Sequence, residues 1–155
     1  MFQRILTAID ATPHAQAVLA QSLHLAQLTS ARVHVLHMHS LLRPIHAPLP
    51  TVAAPIAGVP LPGMPPADIA AGTHAQQLLN HAVAQLVAAG ITTTGEVLDA
   101  SEEQAAEAIM QRATQLTVEL IVLGTRQHGR LAMLFRPSVA ERVCHRPCCP
   151  VLIVP

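Results

Sequence analysis

The sequence predicts an α/β protein: an open five-stranded parallel sheet with helices on both faces. Three observations carry this. Short apolar runs alternate with stretches of helical period, giving β-α-β-α-β-α-β-α-β, and such alternation builds a parallel sheet covered on both sides. The 155 residues fit one domain. Hydrophobic residues make up 51%, enough for a core, against only 12% charged residues.

The elements follow in order. Arg4 to Ile9 is a short apolar run closed by Asp10, a buried strand. Thr12-Pro13 supplies an N-cap and a first-turn proline. From His14 to Ser30, Val18, Leu19, Leu23 and Ala26 share a helical face. Arg32 to His39 is the second strand. Residues 43–66 then carry eight prolines and two glycines, which excludes a helix or a central strand and predicts a long loop. Ala67 to Ala89 is a helix with the stripe Leu78, Leu79, Ala82, Val83 and Leu86, ended by Gly90. Thr92 to Leu98 is the third strand. Ser101-Glu-Glu-Gln104 reads as a capping box opening a helix to about Gln115. Leu120 to Leu123 is the fourth strand. Ser138-Val-Ala-Glu141 is a second capping box for a helix to about His145. Pro150 to Val154 is the fifth strand. One domain, 1–155, holds all of them.

Composition excludes several functions. The formal charge is zero, which argues against a nucleic-acid binder. Two Phe and no Trp or Tyr leave no base-stacking platform. All nine basic residues are Arg. Without lysine there is no Walker P-loop, Schiff-base or pyridoxal-phosphate chemistry, protein kinase or phospho-receiver site. Three clustered cysteines, Cys144, Cys148 and Cys149, with no signal peptide in view, read as reduced thiols in a cytoplasmic protein. No apolar run is long enough for a membrane span.

Ligands of such folds bind beyond the carboxyl ends of the strands, where strand order switches. That directs attention to Asp10 and to the stretch from Gly124 to Ser138. Five of the nine arginines fall between 126 and 146, so this end is locally basic.

At these residues the chain resembles a universal stress protein. RILTAIDATPHAQAVL (4–19) is similar to that family's opening strand, acid and first helix. TVELIVLGTRQHG (117–129) is similar to the strand entering its phosphate loop, and SVAERVCHRPCCPVLIV (138–154) to its closing helix and strand. The resemblance implies a Rossmann-like sheet of order 3-2-1-4-5 and a homodimer formed through the last strand, here Val151 to Val154. It implies a regulatory or adaptive protein, not an enzyme, or at most a slow ATPase. An adenine nucleotide (ATP, ADP or AMP) is the implied ligand, with Asp10 on the adenosine, the backbone near Met38 at the adenine edge, and a phosphate loop from Gly124 to Ser138.

That loop departs from the family pattern of glycine, two residues, glycine, nine residues, then Gly-Ser or Gly-Thr. Gly124 and Ser138 match. Gln127 and Pro137 stand at the other two glycine positions. Pro137 has no N–H to offer a phosphate. Each lost charge-assisted bond costs about 1.5–3 kcal/mol. Gly129, Arg126, Arg130 and Arg136 are the compensating residues, through a displaced turn and bidentate phosphate contacts.

Other readings stay open. Asp10 can serve only as a turn cap with Thr12. The protein can be a dimeric adaptor that binds no nucleotide and acts through an unknown protein partner. A weaker reading is a metal or redox responder: His37 and His39 share a strand face opposite His34, and Cys144, His145, Cys148 and Cys149 bunch together. No paired CxxC or HxxxH motif supports it, and no metal ligand is assigned. Ser138, His128 and Asp10 can be drawn as a triad that no spacing demands, so no catalytic residue is assigned.

Overall fold

The computed structural model describes residues 1–40, 67–125 and 138–155. The proline-rich stretch 43–66, and Arg126, Gln127, His128, Gly129, Arg130, Arg136 and Pro137, lie outside them. The elements are β1 (Arg4–Ile9), α1 (Ala15–Thr29), β2 (Arg32–Ser40), α2 (Ala67–Ala88), β3 (Thr93–Ala100), α3 (Glu102–Gln115), β4 (Leu120–Gly124), α4 (Val139–His145) and β5 (Val151–Val154). The strands form one sheet of order β3-β2-β1-β4-β5, and every pairing is parallel. Order and class agree with the sequence reading.

Side chains alternate across the sheet, so the two cores divide by parity. Ile5 and Ile9 of β1, with Val33 and Val35 of β2, pack under Val18, Leu19 and Ala26 of α1 and Leu79, Ala82 and Leu86 of α2. Leu6, Ala8, Leu36, Ile121 and Leu123 pack on the other face, against Ala106, Ile109 and Ala113 of α3 and Ala140 and Val143 of α4. With both faces covered, β1 is buried at each position from Ile5 to Ile9. Thr7 is the one polar residue in that run. Its hydroxyl donates to Ser22 Oγ at 2.8 Å, and Ser22 in turn donates to the Val18 carbonyl at 2.9 Å. This pairing buries Ser22 on α1, while the expected Leu23 is only half-buried.

Two capping expectations are corrected. Thr12 does not cap α1. Its N–H and hydroxyl both donate to Asp10 Oδ1, a turn that satisfies Thr12 locally and delays the helix to Ala15. Ser101 does precede α3, but no cap bond forms from its side chain. The hydroxyl donates to Gln104 Oε1 at 3.1 Å, and the Gln104 N–H takes the Ser101 carbonyl at 3.0 Å instead. The second box is formed as expected: Ser138 Oγ accepts from the Glu141 N–H, and the Ser138 N–H donates to the Glu141 carboxylate.

Candidate functional site

The strand order decides where a ligand can sit. β1 pairs with β2 on one side and with β4 on the other, so the strand order switches at β1, and ligands of such sheets bind beyond the strand tips at that point. Ala8 is in register with Leu123, which puts Asp10 level with Thr125, just beyond Gly124. The acid of the first strand and the start of the arginine-bearing stretch therefore share one end of the sheet on adjacent strands.

Each residue has an identifiable local cause. Asp10 is half-buried and held by the Thr12 turn. It helps line an open depression of about 390 Å³, mouth included, whose walls come from α1 (Ala15, Leu19) and α2 (Leu78, His81, Ala82). Gly124 sits under a close contact. A Cβ there would lie 3.0 Å from Val18 Cγ2, because the first turns of α1 lean on the tip of β4. The Thr125 N–H is tied to the Val154 carbonyl at 3.0 Å, which fixes the exit from β4 against β5.

Met38 lies where β2 outruns β1. The β1–β2 ladder ends at Ile9 and His37, whereas β2 continues beside β3 through Ser40. Beyond His37, the β2 backbone has no ladder partner on the β1 side among the described residues. Such an edge can hydrogen-bond a planar heterocycle as it would a strand. The Met38 side chain packs into the opposite core, so only its backbone faces this edge.

His37 stands next to this edge and was read from the sequence only as a companion of His39. It is 1% exposed, and neither ring nitrogen has a hydrogen-bond partner among the described residues. Burial holds its pKa below the ordinary 6.5, although the nearby Asp10 carboxylate pulls it up; His39 and His74 add to the lowering. The imidazole is therefore neutral near pH 7, with one donor and one acceptor unused. His39, on the same face, bonds instead to Asp99 Oδ1 at 2.8 Å. His34, on the opposite face, joins Thr94 and Glu96. Glu96 is pushed up by partial burial but held down overall by Arg112 and His34, and Arg112 grips it with two nitrogens. His34 and His39 thus enter separate networks, and His37 enters none among the described residues. No group of three or more His, Cys, Asp or Glu among the described residues could hold a metal.

Ser138 opens α4 with both its hydroxyl and its N–H engaged by Glu141. A phosphate arriving there would compete with a carboxylate already in place. Of the residues singled out from the sequence, Asp10, Met38, Gly124 and Ser138 are described. Arg126, Gly129 and Arg130 follow Gly124 outside the described residues.

The profile of the universal stress protein family matches residues 1–155. This chain belongs to the universal stress protein family. It is 29% identical over 154 residues to a universal stress protein of Thermus aquaticus, covering 99% of both chains. It is 26% identical over 161 residues to the stress response protein NhaX of Bacillus subtilis, covering 97% of this chain and 96% of that one. Three solved structures share the fold. A family member from Burkholderia pseudomallei superposes with a TM-score of 0.67 at 24% identity, covering 99% and 96% of the two chains. One from Archaeoglobus fulgidus, solved in complex with dAMP, gives 0.65 at 20% identity, covering 99% and 98%. One from Arabidopsis thaliana, with AMP bound, gives 0.65 at 13% identity, covering 98% and 90%. No helix among the described residues is long and apolar enough to cross a membrane.

Proposed function

We propose that this universal stress protein is a regulatory, non-enzymatic protein that binds an adenine nucleotide at the tips of β1, β2 and β4. The observation carrying the reading is the overhang of β2 beyond β1, which leaves the backbone at Met38 without a β1-side ladder partner among the described residues, level with Asp10. An adenine ring has the donor and acceptor edge that such a backbone matches, and Asp10, level with that edge, is the acid proposed to meet the adenosine part. Gly124, Arg126, Gly129, Arg130 and Ser138 are the phosphate-end residues of this reading. The family members with dAMP and AMP support the ligand class. ATP, ADP or AMP is the specific ligand proposed. The protein acts in the cytoplasm as a single domain, 1–155, and as a homodimer through the outer edge of β5.

One observation favours a second reading, an adaptor without nucleotide. The Ser138 N–H donates to Glu141 and its hydroxyl accepts from Glu141, and Pro137 beside it has no N–H. Both weaken the phosphate end and leave the adenosine end unaffected. The two readings separate on one test. Purified protein is denatured and the supernatant examined for adenine absorbance, and nucleotide is then titrated into Gln127→Gly/Pro137→Gly. Nucleotide binding predicts released adenine, or calorimetric affinity that tightens at least about 10-fold in the double variant as a phosphate donor returns. An empty supernatant with no heat from either protein supports the adaptor.

A further inference from the structure

At the other end of the sheet, just before β5, the sequence runs Arg146-Pro147-Cys148-Cys149-Pro150. We propose that Cys148 and Cys149 form a chelating dithiol site for trivalent arsenic, independent of the nucleotide crevice. Cys148 is exposed, and its Sγ lies 3.8 Å from the Met110 carbonyl of α3. Cys149 is half-buried and packs against the core formed with α3 and α4. An incoming atom therefore meets one accessible thiol with a second beside it. The flanking prolines hold the pair in place. Pro147 fixes its own φ, and Pro150 restricts Cys149 to extended backbone. The Pro150 carbonyl is anchored by the Ile121 N–H at 3.0 Å. Little chain entropy is lost when both sulfurs engage one centre.

The chemistry selects the ligand. A direct disulfide between adjacent residues must bring the sulfurs to about 2.05 Å, while a trans peptide holds the two Cα atoms only about 3.8 Å apart, closer than disulfides tolerate. Inserting a larger atom relieves that strain. A structural zinc site needs four ligands, and no three-ligand group occurs among the described residues. Trivalent arsenic is held by two thiolates and keeps its third position for oxygen. Arsenous acid condenses with both thiols: two As–O bonds break, two As–S bonds form, and the two thiol protons leave with the displaced hydroxides as two waters. Arsenic stays in the +3 state and no oxidant is needed. Burial, with the adjacent Cys148, pushes the Cys149 thiol up to about 11, so it enters second, losing its proton as the exposed Cys148 has already bonded.

The test uses the reduced full-length chain with phenylarsine oxide and arsenous acid as probes, read by native mass spectrometry and free-thiol titration. One arsenic per chain is expected, with accessible thiols falling from three to one. Cys144→Ser should capture arsenic as the wild type does. Cys148→Ser, at an exposed position, and Cys149→Ser should each weaken capture by about 100-fold or more, the loss expected when chelation becomes monodentate. Undiminished capture by Cys148→Ser, loss of capture in Cys144→Ser, or three thiols still free after treatment would overturn the proposal.

Discussion

An imidazole buried with both nitrogens idle raises the free energy of the folded state, and among the described residues His37 is such a group. Its cost depends on pH. The folded pKa lies below the unfolded value of 6.5, so between the two the unfolded chain binds the extra proton and stability falls as pH falls. Above the unfolded value this loss is absent. The groups that face His37 are Asp10 at the end of β1, His39 on its own strand and His74 on α2. Replacing it by an apolar side chain of similar size removes both the idle nitrogens and the titration. We expect His37→Leu to be more stable than the wild type by about 1–3 kcal/mol near pH 5.5, with a smaller gain at pH 8. Urea unfolding of both proteins at the two pH values measures it; a variant equally sensitive to acid contradicts it. The sequence showed ten histidines and their strand faces but not which one loses its partners. That depends on which side chains the fold brings over each ring, which no local pattern encodes.

Among the elements, those with strong periodicity were legible nearly to the residue. Of the stripe Leu78, Leu79, Ala82, Val83 and Leu86, three residues (Leu79, Ala82 and Leu86) are buried while Leu78 and Val83 are half-buried, and Gly90, at φ 81°, ends α2. Capping was less legible, because Ser and Thr hydroxyls choose among several nearby acceptors. Ser138 completed its box with Glu141, whereas Ser101 turned to the Gln104 side chain and Thr12 to Asp10. The phosphate-end residues between Gly124 and Ser138 were legible only as a degenerate motif. The close seating of α2 on β3 was not read at all. At Gly95 an added Cβ would meet Leu79 Cδ1 at 2.8 Å and the Val35 carbonyl at 3.0 Å. Leu79 is itself buried and has no room to yield. Gly95→Val, despite its better strand propensity, is expected to lose about 1–3 kcal/mol in urea unfolding with an unchanged m-value. A neutral or stabilising result would show that α2 can shift.

At the scale of the whole molecule, a neutral chain with few charges presents a terminal strand whose outer edge has no partner in the described chain. Ile153 on β5 is 37% exposed there, an apolar residue suited to a symmetric contact. Light scattering should find a dimer in the wild type and a monomer in Ile153→Arg; a wild-type monomer at micromolar concentration contradicts the dimer. Under the two proposals the two ends of the sheet have separate tasks, nucleotide at the strand tips and dithiol chemistry before β5. The first depends on Asp10 and the exposed β2 edge sharing one crevice. Calorimetric titration of AMP and ATP into the wild type and Asp10→Ala tests this most directly. We predict saturable heat at one site per chain in the wild type and at least about a 10-fold loss in the variant. Heat of equal size and affinity in Asp10→Ala, or none in the wild type at millimolar nucleotide, would contradict it.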